Sequence, residues 1–142
     1  MEFKIIDKNT GEHHLFTNND IAIFLETHLG RYGDKKSDIL KCLSYALTKG
    51  GLVVLAVANG ELMGAAVLNE TGMAGYIPEN ILVYITVHEN QRGKGLGGQL
   101  LNMALENANG SIALHVEADN PAKKLYERLG FTNKYLEMRL QR

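Results

Sequence analysis

The chain has 142 residues, 45% of them hydrophobic and 22% charged, with a formal net charge of -1. This is the make-up of one globular domain, residues 1–142, with a single core that needs neither disulfides nor a structural metal. One cysteine, Cys42, excludes an internal disulfide. The near-neutral balance supplies no field for nucleic acid or a membrane surface, and no stretch approaches the roughly 18 apolar residues of a spanning helix. The expected location is the cytoplasm.

Phe3 to Asp7 alternates as a strand does. The cluster Thr17, Asn18, Asn19 and Asp20 offers caps to a first helix, whose apolar stripe is Ile21, Phe24, Leu25 and His28 and whose stop is Gly30. After the polar turn Arg31–Lys36, Ser37 or Asp38 is the expected cap of a second helix that ends at Gly50-Gly51. Leu52–Ala58 and Glu61–Leu68 flank Asn59-Gly60, the pattern of a two-residue hairpin. Asn69–Pro78 reads as a loop, and Ile81–Val87 as a further strand. Gln91–Gly98 then brings glycines at 93, 95, 97 and 98 into the start of a third helix, which stops at Asn109-Gly110. Ile112–Val116 is a strand; Asn120 caps and Pro121 opens a fourth helix, closed by Gly130. The alternation of Phe131–Leu140 predicts one or two final strands. The predicted order is β-α-α-β-β-β-α-β-α-β-β, a mixed α/β layer structure.

A strand, a glycine-rich turn and an amphipathic helix together place unobstructed backbone amides at the positive end of a helix dipole, which is where a phosphate binds. Two familiar phosphate loops do not fit. The Walker pattern needs Lys and then Ser or Thr after its last glycine, whereas Leu96 follows Gly95. The dinucleotide fingerprint opens a first βαβ unit, whereas this loop comes late, after an antiparallel hairpin. None of the five histidines has metal-ligand spacing with another histidine, a cysteine or a carboxylate, so no metal is expected.

The run V-H-E-N-Q-R-G-K-G-L-G-G-Q-L-L from Val87 resembles the signature of the GNAT superfamily of N-acetyltransferases, R/Q-x-x-G-x-G/A, at Arg92, Gly95 and Gly97. The stretch from Leu114 to Phe131, with Asn120, Tyr126, Gly130 and Phe131, resembles its later motif, the alanine coming one place early. The two blocks cover about a third of the chain, in the family's order.

The resemblance implies the acyl-CoA N-acyltransferase fold: one twisted mixed sheet with helices on both faces. It also implies acetyl-CoA as acyl donor and a primary amine as acceptor, a small molecule being favoured over a protein lysine or N-terminus. By the same resemblance, Arg92, Gly93, Lys94, Gly95, Leu96, Gly97 and Gly98 would hold the pyrophosphate. Ile85 and Val87 would line the slot for the pantetheine arm, with the Val87 amide as oxyanion donor, Asn120 would contact that arm, and Tyr126 would protonate the leaving thiolate. Many relatives carry an acidic base on the strand before the glycine loop, but Ile81–Val87 holds no carboxylate. Glu79 at the strand's mouth is the expected substitute, with His115 or a chain of waters as alternatives. A homodimer through the C-terminal strands is a further expectation of the family, and a non-catalytic acyl-CoA-binding module is the competing reading of the chain.

Overall fold

The computed structural model describes residues 1–142. It has five strands, β1 (Glu2–Ile6), β2 (Gly51–Ala58), β3 (Glu61–Glu70), β4 (Asn80–Val87) and β5 (Ile112–Leu114), and four helices, α1 (Asn18–Leu29), α2 (Lys36–Thr48), α3 (Leu96–Asn107) and α4 (Ala122–Arg128). The strands lie side by side in chain order; the first three pairings are antiparallel and β4 with β5 is parallel.

β2 is a continuous apolar run because both of its faces are covered. Val53, Leu55 and Val57 pack under α1 and α2 with Ile21, Leu25, Ile39 and Leu43. Leu52, Val54 and Ala56 pack under α3 and α4 with Leu100, Leu101 and Tyr126. Asn59 and Gly60 both have positive φ, 52° and 76°, the two-residue turn that suits the twist of a hairpin.

α1 opens with a reciprocal capping box, in which the Thr17 hydroxyl accepts from the Asp20 amide and the Asp20 carboxylate accepts from the Thr17 amide. α2 departs from the sequence reading. It begins at Lys36, before Ser37 and Asp38, and no side chain of its own N-cap serves it. Glu26 on α1 accepts from the Lys36 amide at 2.7 Å instead, so the first helix caps the second across the turn. At α4 the Asn120 side chain accepts from the Ala122 amide, as a capping residue should, with Pro121 immediately ahead of the first helical residue.

Two predicted strands are corrected. β5 stops at Leu114 rather than Val116. The segment Phe131–Leu140 forms no strand, and Leu136, Met138 and Leu140 are 85%, 91% and 79% exposed. Its apolar alternation is there in the sequence, and Glu137 pairs with Arg139. A strand exists only as part of a ladder, however, and the sheet ends on a three-residue edge.

No helix is long and apolar enough to cross a membrane.

Candidate acyl-transfer site

β4 and β5 share only three register pairs, Asn80–Ile112, Ile81–Ala113 and Leu82–Leu114. Beyond Leu82 the two strands part, and β4 continues to Val87 paired with β3 alone. An extra residue in β4 opposite β3, between Leu82 and Tyr84, marks the start of this gap. The bulge reverses the side-chain alternation. Leu82 faces the α3 side of the sheet, yet Tyr84, two residues on, packs on the α1–α2 side.

Backbone polarity follows from the register. The His88 amide donates to the Met63 carbonyl on β3 at 2.7 Å. Amides alternate along a strand, so those of Ile85 and Val87 point the other way, into the gap.

The gap opens into a cavity of about 510 Å³, within the range of small-molecule sites. Its walls include Val83–Val87 of β4, Thr27–Leu29 of α1, Gly30, Arg31 and Tyr32 of the following turn, Gly97 of α3, and His115, Asn120 and Tyr126 from the β5–α4 side. Contacts across the sheet hold α1 in place. The His28 carbonyl accepts from the Thr86 hydroxyl at 3.2 Å and from the Arg92 guanidinium at 2.8 Å. Tyr84 donates its hydroxyl to Asp34 at 2.6 Å, pinning the α1–α2 turn.

At the end of β4 the glycine loop leads into α3. Gly93 and Gly95 have φ of 76° and 83°, and Gly95 is the N-cap residue, with no side-chain cap. The amides of residues 93–98 donate to no protein acceptor; the helix ladder begins with the Gln99 amide on the Gly95 carbonyl. A Cβ at Gly93 or Gly95 would meet open space, so these glycines answer a backbone requirement and leave an unobstructed row of donors. Lys94 is exposed in this row. The Leu96 side chain is buried in the core, so only its backbone is offered to the loop. Arg92 is turned away from the loop's amides, its guanidinium donating to the His28 carbonyl in the last turn of α1, where a cation is favoured.

Tyr126 projects from α4 against the Phe131 ring and is 8% exposed. Burial pushes its phenol up to about 12, and the hydroxyl makes no hydrogen bond within the protein. His28 lines the cavity between Phe24 and His88, with ring centroids 4.5 Å away on each side. Burial first, then the neighbouring His88, hold its imidazole below the usual value. The sequence reading placed His28 on the buried stripe of α1 as a core residue; its position in the last turn, beside the turn that roofs the cavity, was the available signal.

Glu79 is placed elsewhere. It precedes Asn80 at the far end of β4, about 25 Å along the strand from Val87 at ~3.3 Å per residue. Its carboxylate accepts from the amides of Ser111 at 2.6 Å and Gly75 at 3.2 Å, and those bonds hold it below the ordinary carboxylate range. It shapes the β4–β5 junction and does not reach the cavity. Cys42 lies between α2 and β3, its thiol on Asn69, and burial pushes it up to about 12, so no nucleophilic thiol faces the site.

The family described as an acetyltransferase (GNAT) domain matches residues 49–133. The chain belongs to the GNAT acetyltransferase family. The matched span runs from β2 through the glycine loop to the end of α4, the part of the chain that builds the gap and its donors. A stretch of 56 residues is 50% identical to the mycothiol acetyltransferase of Corynebacterium aurimucosum, covering 35% of this GNAT chain and 18% of that protein. Solved structures match over nearly the whole chain. A transcriptional regulator from Bacillus halodurans superposes with a TM-score of 0.72 at 19% identity, 99% of each chain being covered. An aminoglycoside N-acetyltransferase in complex with CoA superposes with a TM-score of 0.67 at 16% identity, covering 99% of this chain and 98% of that one. At these identities the superpositions speak to the fold.

Proposed function

We propose that the protein is an acetyl-CoA-dependent N-acetyltransferase that passes an acetyl group directly to a primary amine of a small molecule. The observation that carries this reading is the continuity of the gap between β4 and β5 with the unpartnered amides of residues 93–98. One end offers donors for a pyrophosphate and the other a cavity with proton-active side chains. The CoA complex of the aminoglycoside N-acetyltransferase of the same fold supports the choice of donor.

The residues present fit a CoA thioester. Backbone amides from Gly93 to Gly98 at the N-terminus of α3 would hold the pyrophosphate, and Lys94 adds an exposed charge beside them. The gap-facing amides of Ile85 and Val87 would bind the pantetheine arm and the thioester oxygen, with Asn120 on the opposite wall. When bound, the thioester supplies an activated acetyl group. The Val87 amide would stabilise the oxyanion, a preorganised donor of this kind generally being worth about 3 kcal/mol of barrier.

The chemistry requires a new N–C bond, a broken C–S bond and three proton movements. The ammonium first loses a proton to a base, the Tyr126 hydroxyl gives its proton to the departing sulfur, and the second proton shed by the acylated nitrogen returns to the Tyr126 oxygen. The burial that raises Tyr126 would also raise a thiol leaving beside it, which keeps donor and acceptor matched. The cavity wall contains no Asp or Glu. Its imidazoles are His28 and His115, and we assign the ammonium proton to one of them in place of Glu79.

The test is release of CoA thiol from acetyl-CoA in the presence of pooled small amines and pooled peptides, with wild type and Tyr126→Phe. Release with the small-amine pool, sharply reduced by the substitution, is the expected result. Release only with peptides would redirect the acceptor to protein amines. Thermal stabilisation by CoA without release in either pool would favour the non-catalytic CoA-binding module.

A further inference from the structure

The charges on the cavity wall restrict the acceptor further. Its ionic and titratable members are Arg31, Arg92, His28 and His115, with the tyrosines 32, 84 and 126. Two carboxylates that touch wall residues are already engaged. Asp34 accepts from Tyr84 at 2.6 Å, and Asp119 accepts from Arg31 at 2.7 Å. On the wall itself a polycationic amine would therefore meet cations and no carboxylate, Glu117 and Glu89 standing outside it beside Arg31 and His28.

Arg92 and Arg31 differ in availability. Arg92 is committed to the His28 carbonyl and stands next to the glycine loop. Arg31 stands on the turn between α1 and α2, across the mouth of the cavity from the β5–α4 loop. Only its Nη2 is used, donating to the Tyr32 hydroxyl at 2.6 Å and to Asp119. Nε and Nη1 have no protein partner. The Arg31 and Asp119 side chains are 68% and 60% exposed, and pairs so exposed contribute little and exchange readily. The guanidinium fork is shaped for two parallel bonds to one carboxylate, and here it holds a side-chain carboxylate by one arm.

Resting on the transferase reading above, we propose that the acceptor is a primary amine that also carries a carboxylate, and that Arg31 binds that carboxylate. A zwitterionic acceptor brings no net charge to a cationic wall. With its carboxylate on Arg31, its ammonium faces a wall that carries imidazoles and no carboxylate, so a histidine takes its proton.

The experiment measures kcat and KM with acetyl-CoA for matched acceptors, glycine against glycinamide and β-alanine against β-alaninamide, with spermidine as the polycation. Wild type is expected to prefer the carboxylate member of each pair by about tenfold in kcat/KM, the scale of one charge-assisted interaction. Arg31→Ala should raise KM for the carboxylate members by a similar factor, leaving kcat, the amide members and the KM for acetyl-CoA little changed; Arg31→Lys should recover part of the loss. Asp119→Asn should act in the opposite direction, lowering KM for the carboxylates by removing their internal competitor. If the pair were only a clamp between two loops, Arg31→Ala and Asp119→Asn would impair every acceptor alike, and the proposal would be overturned. A preference for the carboxamides or for spermidine would overturn it equally while leaving the transferase reading intact. No transfer to any amine, with CoA still raising Tm, would instead remove the transferase reading and this inference with it.

Discussion

At the scale of single residues, Tyr126 and His28 are proton-active side chains whose surroundings hold them neutral. Tyr126 is neutral because it is buried, and its hydroxyl is free of protein partners. Tyr126→Phe keeps the ring packed on Phe131 and removes only the proton. The expected outcome is a fall in kcat of about 100-fold with CoA-induced stabilisation retained, measured by thiol release and thermal shift; an unchanged kcat would strip Tyr126 of the acid role. With that phenol at about 12, no alkaline loss of activity from Tyr126 is expected below pH 10. His28 is displaced in the other sense, its folded pKa lying below the unfolded value of 6.5. The native state then favours the neutral ring. Its contribution to stability is present in full above pH 6.5 and is lost as the pH falls through the lowered folded value. The Tm of wild type should thus fall more steeply between pH 7 and 5 than that of His28→Gln, and parallel curves would contradict the assignment.

At the scale of elements, the site depends on where strands stop pairing. The bulge in β4 puts Leu82 and Tyr84 on opposite faces, and the five residues of β4 beyond Leu82 line the gap. The other end of the sheet is equally exacting. Gly51 starts β2 with φ of 138°, and a Cβ there would collide with the Leu68 carbonyl on the neighbouring strand. Because that obstacle is backbone, it has no rotamer to escape into. Gly51→Ala is expected to lower stability by about 2–3 kcal/mol in denaturant unfolding, with wild-type activity per folded molecule, since the position lies away from the cavity. A loss of activity without a loss of stability would show that β2 and the site are coupled in a way the packing does not predict.

On the scale of the whole molecule, two helical layers enclose a sheet whose last strand is short. The C-terminal Tyr135, Leu136, Met138 and Leu140 are all at least 79% exposed beyond it. Deleting residues 134–142 removes no buried side chain, so Tm and CoA-induced stabilisation are expected to change little. Apolar alternation next to an open sheet edge favours association between copies. Wild type should therefore elute earlier on size exclusion as concentration rises, and the truncated chain should not; identical elution of both would remove the tail from any role in assembly.

What the sequence determined by itself were the features encoded within a few residues. Periods of two and 3.6 marked strands and helices, Asn59-Gly60 forced one hairpin, and the glycines at 93 and 95 named the donor loop because only glycine takes those dihedral angles freely. The resemblance of the Arg92–Gly97 and Leu114–Phe131 blocks was legible for the same reason, since each is one local unit. The tertiary structure decided whatever depends on partners far along the chain. It placed Glu79 at the wrong end of β4, gave α2 a cap from α1, brought His28 to the cavity, joined Arg31 to Asp119 across 88 positions and left the final segment without a ladder. A local pattern fixes the conformation a segment prefers, but proximity and pairing are properties of the assembled layers, where loop lengths and a single bulge decide which side chains meet.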